Sequence, residues 1–288
     1  MDTTPFDRCF AIAAHNRSPL FQVSRLFPQE KGRLFLASYA AMRLVDDLVD
    51  EQFLIAAAAE PAGAEAVYLQ VDRWQRQACD AANGRFQSSE DAFEPLVFEA
   101  LNQTAGRSDL GVWPWNALAE AMKGDIKQHP LVTWNDFLMY SEGATVAPAT
   151  VFLFILACRF RKDRFTTPEP TEFYRETVRE MAVFCYVIHI LRDLERDVAR
   201  ASQLVTIPDE LLSAAGLDKA LLARWITEAP HRILPLRRLL LEQAGGCLER
   251  GMDRLMQGVA LPTLEKQILK KLIGHYTRLH EEMKQHLE

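Results

Sequence analysis

The stretch Tyr39–Glu51, YAAMRLVDDLVDE, places three aspartates within five positions of a segment that otherwise reads as buried helix. At about 100° per residue, Tyr39, Arg43, Asp46 and Asp50 fall within an arc of roughly 60° on one helix face. Met42, Leu44, Val45, Leu48 and Val49 cover the back and flanks, so protein is expected to surround the helix and the polar stripe to face something other than open solvent. Carboxylates taken out of water without a partner neutralise or destabilise the fold, so a cation is needed beside them. Arg43 can partner one carboxylate, and a hard divalent ion is the usual solution for the rest. The competing reading of this stretch alone is an ordinary solvated helix face.

A second stretch, YVIHILRDLERDVAR (Tyr186–Arg200), repeats the pattern: Tyr186, His189, Asp193 and Asp197 share an arc of roughly 80°, backed by Ile188, Ile190, Leu191, Leu194 and Val198. If the two stripes face each other they make a mouth lined by four carboxylates. That suits magnesium, which takes one or two carboxylates and leaves its other positions to water and substrate phosphates. A di-iron bundle would want two Glu-x-x-His motifs; Glu228 to His231 stands alone and has Pro230 inside it. Basic residues near the mouth would hold a diphosphate, and HNRSPLF supplies His15, Arg17 and Ser18 just before the first long helix. The cluster RFRKDR, Arg159–Arg164, reads as a solvated helix end.

Strand signals are nearly absent and helical periodicity runs through most of the 288 residues. Helices are predicted over 5–14, 18–27, 29–58, 62–83, 89–105, 113–128, 133–145, 148–161, 169–200, 208–213, 217–226, 229–258 and 262–287. Breaks are expected at prolines such as Pro61, Pro130, Pro148 and Pro262. Without a fixed repeat, a low-complexity linker or a shift in composition, residues 1–288 read as one all-α domain.

The composition is 49% hydrophobic, ample for a sizeable core, and the net charge of −6 argues against nucleic acid as the partner. Five scattered cysteines, none spaced as C-x-x-C, suggest neither a disulfide framework nor a zinc site and fit a reducing cytoplasm. The N-terminus MDTTPFDRCF lacks the basic and apolar regions of a secretory signal. The apolar run Val146–Cys158 has 13 residues, against roughly 20 needed to span a bilayer, so it reads as a core helix. The last segment, with Leu264, Ile268, Leu272 and Tyr276 four apart, reads as a packing helix, with a membrane-surface role as the alternative.

These residues resemble the squalene/phytoene synthase family, all-α enzymes that join two isoprenoid diphosphates head to head. HNRSPLFQVSRLFPQEKGRLFLASYAAMRLVDDLVDE is similar to the family's H-S-K-S-F, L-L-P and Y-A-F-C-R-x-x-D-D-x-x-D run. AMKGDIKQHPLVTWNDFLMYSEG is similar to G-M-x-x-D-L followed by Y-C-x-x-V-A-G, and HILRDLERDVARA to N-I-L-R-D-x-x-x-D-x-x-R-G, closed by Pro208 as in I-Y-L-P. The resemblance implies a multi-helix isoprenoid synthase fold with a central apolar cavity. It implies that Asp46, Asp50, Asp193 and Asp197 bind Mg2+ holding the diphosphates. Tyr39, Arg43, His15, Arg17, Ser18 and Tyr140 match positions that contact or orient diphosphate or the ionising substrate, and Asp125 matches a middle acidic position.

His189 stands where the family has asparagine, keeping hydrogen-bonding capacity while able to become cationic. Ala144-Thr145-Val146 followed by Pro148 replaces V-A-G, Pro19 replaces the first motif's phenylalanine, and the closure lacks its tyrosine and first glycine. The implied reaction is a Mg-dependent 1′–1 condensation of farnesyl or geranylgeranyl diphosphate, through a cyclopropylcarbinyl diphosphate, to squalene, dehydrosqualene or phytoene. The apolar helices around Val146–Cys158 and Phe184 would shield the cation, with Phe152, Phe154 and Tyr186 offering ring faces. NADPH stays open, because squalene formation in the family consumes it and phytoene formation does not. The alternatives are an isoprenoid synthase that stops at the cyclopropyl intermediate, quenches with water or cyclises, and a non-catalytic assembly relative. The expected location is cytoplasmic, with transient contact at a membrane surface; the oligomeric state is left open.

Overall fold

A computed structural model describes residues 3–15, 18–54, 63–89, 93–201 and 204–287. The chain runs through α1 (Pro5–His15), α2 (Pro19–Ser24), α3 (Gln29–Asp47), α4 (Ala64–Ala82), α5 (Pro95–Thr104), α6 (Trp113–Ile126), α7 (Trp134–Ser141) and α8 (Ala147–Ala157). It continues through a hairpin of β1 (Arg159–Arg161) and β2 (Arg164–Thr166), then α9 (Thr171–Arg200), α10 (Asp209–Ala214), α11 (Leu222–Glu228), α12 (Leu234–Gly258) and α13 (Thr263–Gln285). The predicted all-α class holds, and one contiguous apolar core joins α1 to α13.

Local chemistry explains the helix starts. Ser18 caps α2 by accepting from Phe21 N, and Thr133 and Asp136 exchange side-chain and backbone hydrogen bonds at the head of α7. The start predicted at 89 moves to Pro95, which occupies the first helical turn of α5, where its missing N–H costs nothing. α8 is buried all round, from Thr150 to Ala157, and forms the centre of the bundle. α9, 30 residues and about 45 Å long, is the spine, and α12 packs along it. Gly251 permits that approach: a Cβ there would lie 2.8 Å from Met181 N.

Three expectations change. The break at Pro148 does not end the helix. α7 runs into α8 through a π-wide turn, Glu142–Val146, and the looser pitch accommodates the proline's missing N–H. The continuous run Trp134–Ala157 is thus 24 residues, long and apolar enough by length and composition to cross a membrane, with 56% of its most apolar window buried inside the protein. Second, RFRKDR is not a helix end. Cys158 turns extended, Arg159 pairs with Thr166 and Arg161 with Arg164, and Lys162 and Asp163 take the positive φ angles of 49° and 62° that a tight hairpin requires. Buried Phe165, packed on Phe160, anchors the hairpin to the body. Third, α3 widens into a π-type segment, Leu48–Leu54; the predicted end at 58 lies outside the described residues. On α13, Ile268, Leu272 and Tyr276 are buried in the protein's own core, whereas Leu264 at the head of the same stripe is exposed.

Candidate active site

α3 buries Leu34, Ala37, Ala41 and Val45, which turns the opposite stripe, Tyr39, Arg43 and Asp46, toward an internal cavity of about 760 Å³. The π-type segment carries Asp50 and Glu51 to the same cavity. Arg43 Nη1 donates to Asp46 Oδ2 at 2.5 Å, and its Nη2 pairs with Asp47, so the single cation of the motif serves two aspartates. Tyr39 donates to Ser18 Oγ at 2.9 Å, tying the head of α2 to the cavity wall.

α9 supplies the facing wall with His189, Asp193 and Asp197. Its carboxylates are already partnered. Arg192 grips Asp193 through Nε and Nη2 at 2.8 and 2.6 Å, and Arg196 reaches Asp193 at 3.1 Å and Asp197 at 3.0 Å. Helical spacing sets these arginines beside the acidic stripe, and a guanidinium on three methylenes reaches sideways around the helix to it. Arg200 at the end of α9 meets Glu51 at 2.8 Å, so an ion pair joins the ends of the two acidic helices. His189 Nε2 shares a 2.6 Å hydrogen bond with Tyr276 Oη of α13.

A third wall comes from α6, α7 and α9: Tyr140 donates to Asp125 Oδ2 at 3.0 Å, and Tyr186 pairs with Thr206 at 3.1 Å. Below this polar rim the lining is apolar, with Pro148, Phe152 and Leu153 of α8, Met181 of α9, and Leu269 and Leu272 of α13. A 140 Å³ side chamber opens between α3 and α8 against Phe35, Met42, Val151 and Ile155. Phe154 and Phe184 are not on this wall. Phe154 packs edge-on against Tyr174, and Phe184 against His280.

The electrostatics divide the mouth. Burial, with Asp46 and Asp125 close by, pushes Asp50 up to about 8, and burial pushes Asp125 up to about 7 against the lowering hydrogen bond from Tyr140. Asp46 is raised for the same reason, although Arg43 opposes it. Across the cavity, burial would raise Asp193, but the hydrogen bond and charge of Arg192, with Arg196, outweigh it and hold the carboxyl below its ordinary value. Burial and the charge of Arg192 push His189 down to about 4, so the resting imidazole is neutral at physiological pH, with a lone pair free to accept a proton.

The Asp46, Asp50 and Asp125 side therefore carries more carboxylate than its one arginine neutralises, and hard oxygen donors crowded enough to hold protons fit a divalent cation. Among the described residues no three ligand-type side chains converge on one point, so a metal would draw them together and displace arginines. Of the other expected site residues, His15 ends α1 exposed and away from the cavity lining, Ser18 lines it, and Arg17 lies outside the described residues. Arg192, Arg196, Arg200, Glu51, Thr206 and Tyr276 line it without having been singled out for the site.

Comparison with known proteins follows this geometry. The chain is 23% identical over 278 residues to phytoene synthase 1, chloroplastic, of Zea mays, covering 93% of this chain and 60% of that protein. It is 22% identical over 273 residues to the Arabidopsis thaliana phytoene synthase 1, chloroplastic, covering 93% and 58%. The chain thus spans about three fifths of the length of these relatives. The fold is shared with squalene synthase HpnC from Alicyclobacillus acidocaldarius, with a TM-score of 0.72, 20% identity, and 98% and 94% of the two chains covered. It is shared too with a dehydrosqualene synthase solved in complex with ligand, with a TM-score of 0.71, 17% identity, and 98% and 96% covered. The family profile for squalene/phytoene synthase matches residues 13–273, taking in both acidic helices and the wall between them, and the chain belongs to that family.

Proposed function

We propose that this chain joins two prenyl diphosphates, farnesyl or geranylgeranyl, head to head through a cyclopropylcarbinyl diphosphate to a 1′–1 linked product such as squalene, dehydrosqualene or phytoene. The observation that carries the reading is the two acidic pairs, Asp46–Asp50 and Asp193–Asp197, lining one cavity together with the apolar side chains of Phe152, Leu153 and Leu272. The polar rim suits diphosphates and the apolar lining suits hydrocarbon chains.

Mg2+, held by Asp46, Asp50, Asp193 and Asp197, would neutralise a diphosphate and make it a leaving group. The chain's own residues do the rest. Arg43, Arg192 and Arg196, freed from their aspartates, grip diphosphate oxygens as paired donors. Tyr39 and Ser18 hold the rim near the head of α2, and Tyr140, fixed on Asp125, orients the ionising end. Phe152, Leu153, Met181 and Leu272 exclude water from the cation formed when the C–O bond breaks. Residues 1–288 act as one domain in this reading, in the cytoplasm and in passing contact with membrane, where the greasy substrate and product partition.

The test is incubation of the protein with farnesyl or geranylgeranyl diphosphate and Mg2+, with and without NADPH, followed by mass analysis of the extracted products. A C30 or C40 hydrocarbon is expected, and its hydrogen count reports whether NADPH is consumed. Prenyl diphosphates that remain unconsumed while Mg2+ binds would overturn the reading.

A further inference from the structure

The four tyrosines on the cavity wall differ in what their hydroxyls meet. Tyr39 meets Ser18, Tyr140 meets Asp125, Tyr186 meets Thr206, and Tyr276 meets His189 Nε2 at 2.6 Å. Only the last of these pairs ends on a nitrogen with a lone pair. Among the described residues lining the cavity His189 is the one histidine, and the arginines are donors only. Asp46, Asp193 and Asp197 are engaged with arginines, Asp125 already accepts from Tyr140, and Asp50 belongs to the proposed Mg2+ set. Tyr276 is 3% exposed and its ring stands edge-on to the imidazole at 5.0 Å, so the pair is fixed in place. It also stands apart from the family motifs, since His189 replaces the asparagine and Tyr276 follows residue 273, where the family match stops.

The proposed condensation needs such a group. When the cyclopropane closes, a C–H bond breaks at C1 of the donor, the prenyl unit whose diphosphate has left and whose C1 has bonded to C2 of the acceptor, leaving the cation at the acceptor's C3. The C–H electron pair becomes the new ring bond and the hydrogen leaves as a proton. We propose that Tyr276 and His189 are the relay that takes this proton: the Tyr276 oxygen accepts it as the hydroxyl's own proton passes to His189 Nε2. His189 becomes an imidazolium one helical turn from Asp193, whose carboxylate offsets the charge. The proton returns to solvent through the mouth after product release, and no oxidant or reductant is involved. This rests on the head-to-head reading and adds Tyr276 to its chemistry.

The experiment is single turnover with Mg2+ and farnesyl diphosphate carrying deuterium at C1, comparing the parent with Tyr276→Phe, His189→Asn and the double variant, each with a melting curve. Both single variants are expected to slow the cyclopropyl product about 10²-fold or more, as loss of a general base does. A primary isotope effect larger than the parent's should emerge, and released diphosphate should be accompanied by water-trapped prenyl alcohol. The double variant should be no slower than the slower single, because both changes break one relay. His189→Gln replaces His189→Asn if the latter does not fold. Variants slowed equally with labelled and unlabelled substrate, or matching the parent in isotope effect and products, would overturn the relay alone. A parent that forms no condensed product would overturn the head-to-head reading beneath it.

Discussion

Lys31 Nζ donates to Glu265 Oε1 at 2.7 Å and to the Leu156 carbonyl at 2.9 Å, so one ammonium ties α13 to α3 and α8. The side chains are 9% and 8% exposed, and the pair bridges 234 positions of sequence. It fixes the base of the helix that carries Leu272 and Tyr276 over the cavity.

Breaking one partner of such a pair leaves a buried charge unmatched. Glu265→Ala is expected to cost about 3–5 kcal/mol, while Lys31→Met with Glu265→Leu recovers most of the loss. Urea unfolding of the three proteins checks this; a single variant as stable as the parent would mean the pair contributes nothing.

The crowded carboxylates make metal-free stability depend on pH. Asp50 and Asp125 are raised to about 8 and about 7 from an ordinary value near 3.8, so between those limits the native state holds protons that the unfolded chain has released. Stability therefore falls as pH rises through this range. His189, lowered to about 4 from 6.5, acts in the opposite sense below pH 6.5 and is neutral in both states above it. The expected outcome is a melting temperature that declines from pH 6.5 to pH 8, with Mg2+ raising it more at pH 8 than at pH 6.5. Calorimetry with and without chelator measures both arms, and a metal-free melting point that climbs over that interval contradicts the assigned burial.

Asp50→Asn separates function from stability. Removing a charge that burial disfavours should raise the metal-free melting temperature by a few degrees at pH 8, while diphosphate release from farnesyl diphosphate is lost. Retained release would remove Asp50 from the metal site.

Arg192→Gln should weaken diphosphate binding and, by removing the main opposition to burial, let Asp193 move up. Loss of a charge-assisted bidentate contact is worth roughly 1.5–3 kcal/mol, or about 10–100-fold in Kd. Titration of inorganic diphosphate in the presence of Mg2+ reads this directly; an unchanged Kd would leave Arg192 a purely structural partner of Asp193.

Gly143 marks where the wall is tightest, since a Cβ there would sit 2.1 Å from the Ala117 carbonyl and 2.7 Å from the Ala121 Cβ. Gly143→Ala must push α6 and the π-wide turn apart, which moves Asp125 relative to Tyr140. A loss of about 1–3 kcal/mol or more is expected, together with slower turnover; an unaffected protein would show the contact to be pliant.

The sequence by itself determined the helical class, the two acidic stripes and their apolar backs, because helical periodicity is a local property and both stretches obey it without interruption by proline or glycine. It reached Tyr39, Arg43, Asp46, Asp50, Asp193 and Asp197 for the same reason. Only the tertiary structure decided what those stripes meet. Tyr276 comes to His189 from 87 positions away, Arg200 reaches Glu51 from 149, and the relevant contacts are set by how helices cross. The two π-wide turns were hidden because they change pitch without changing composition, and the hairpin at Lys162–Asp163 because its turn lacks the glycine that usually announces one. The division of the mouth into a carboxylate-rich side and an arginine-neutralised side follows from burial and side-chain reach, which linear order does not encode.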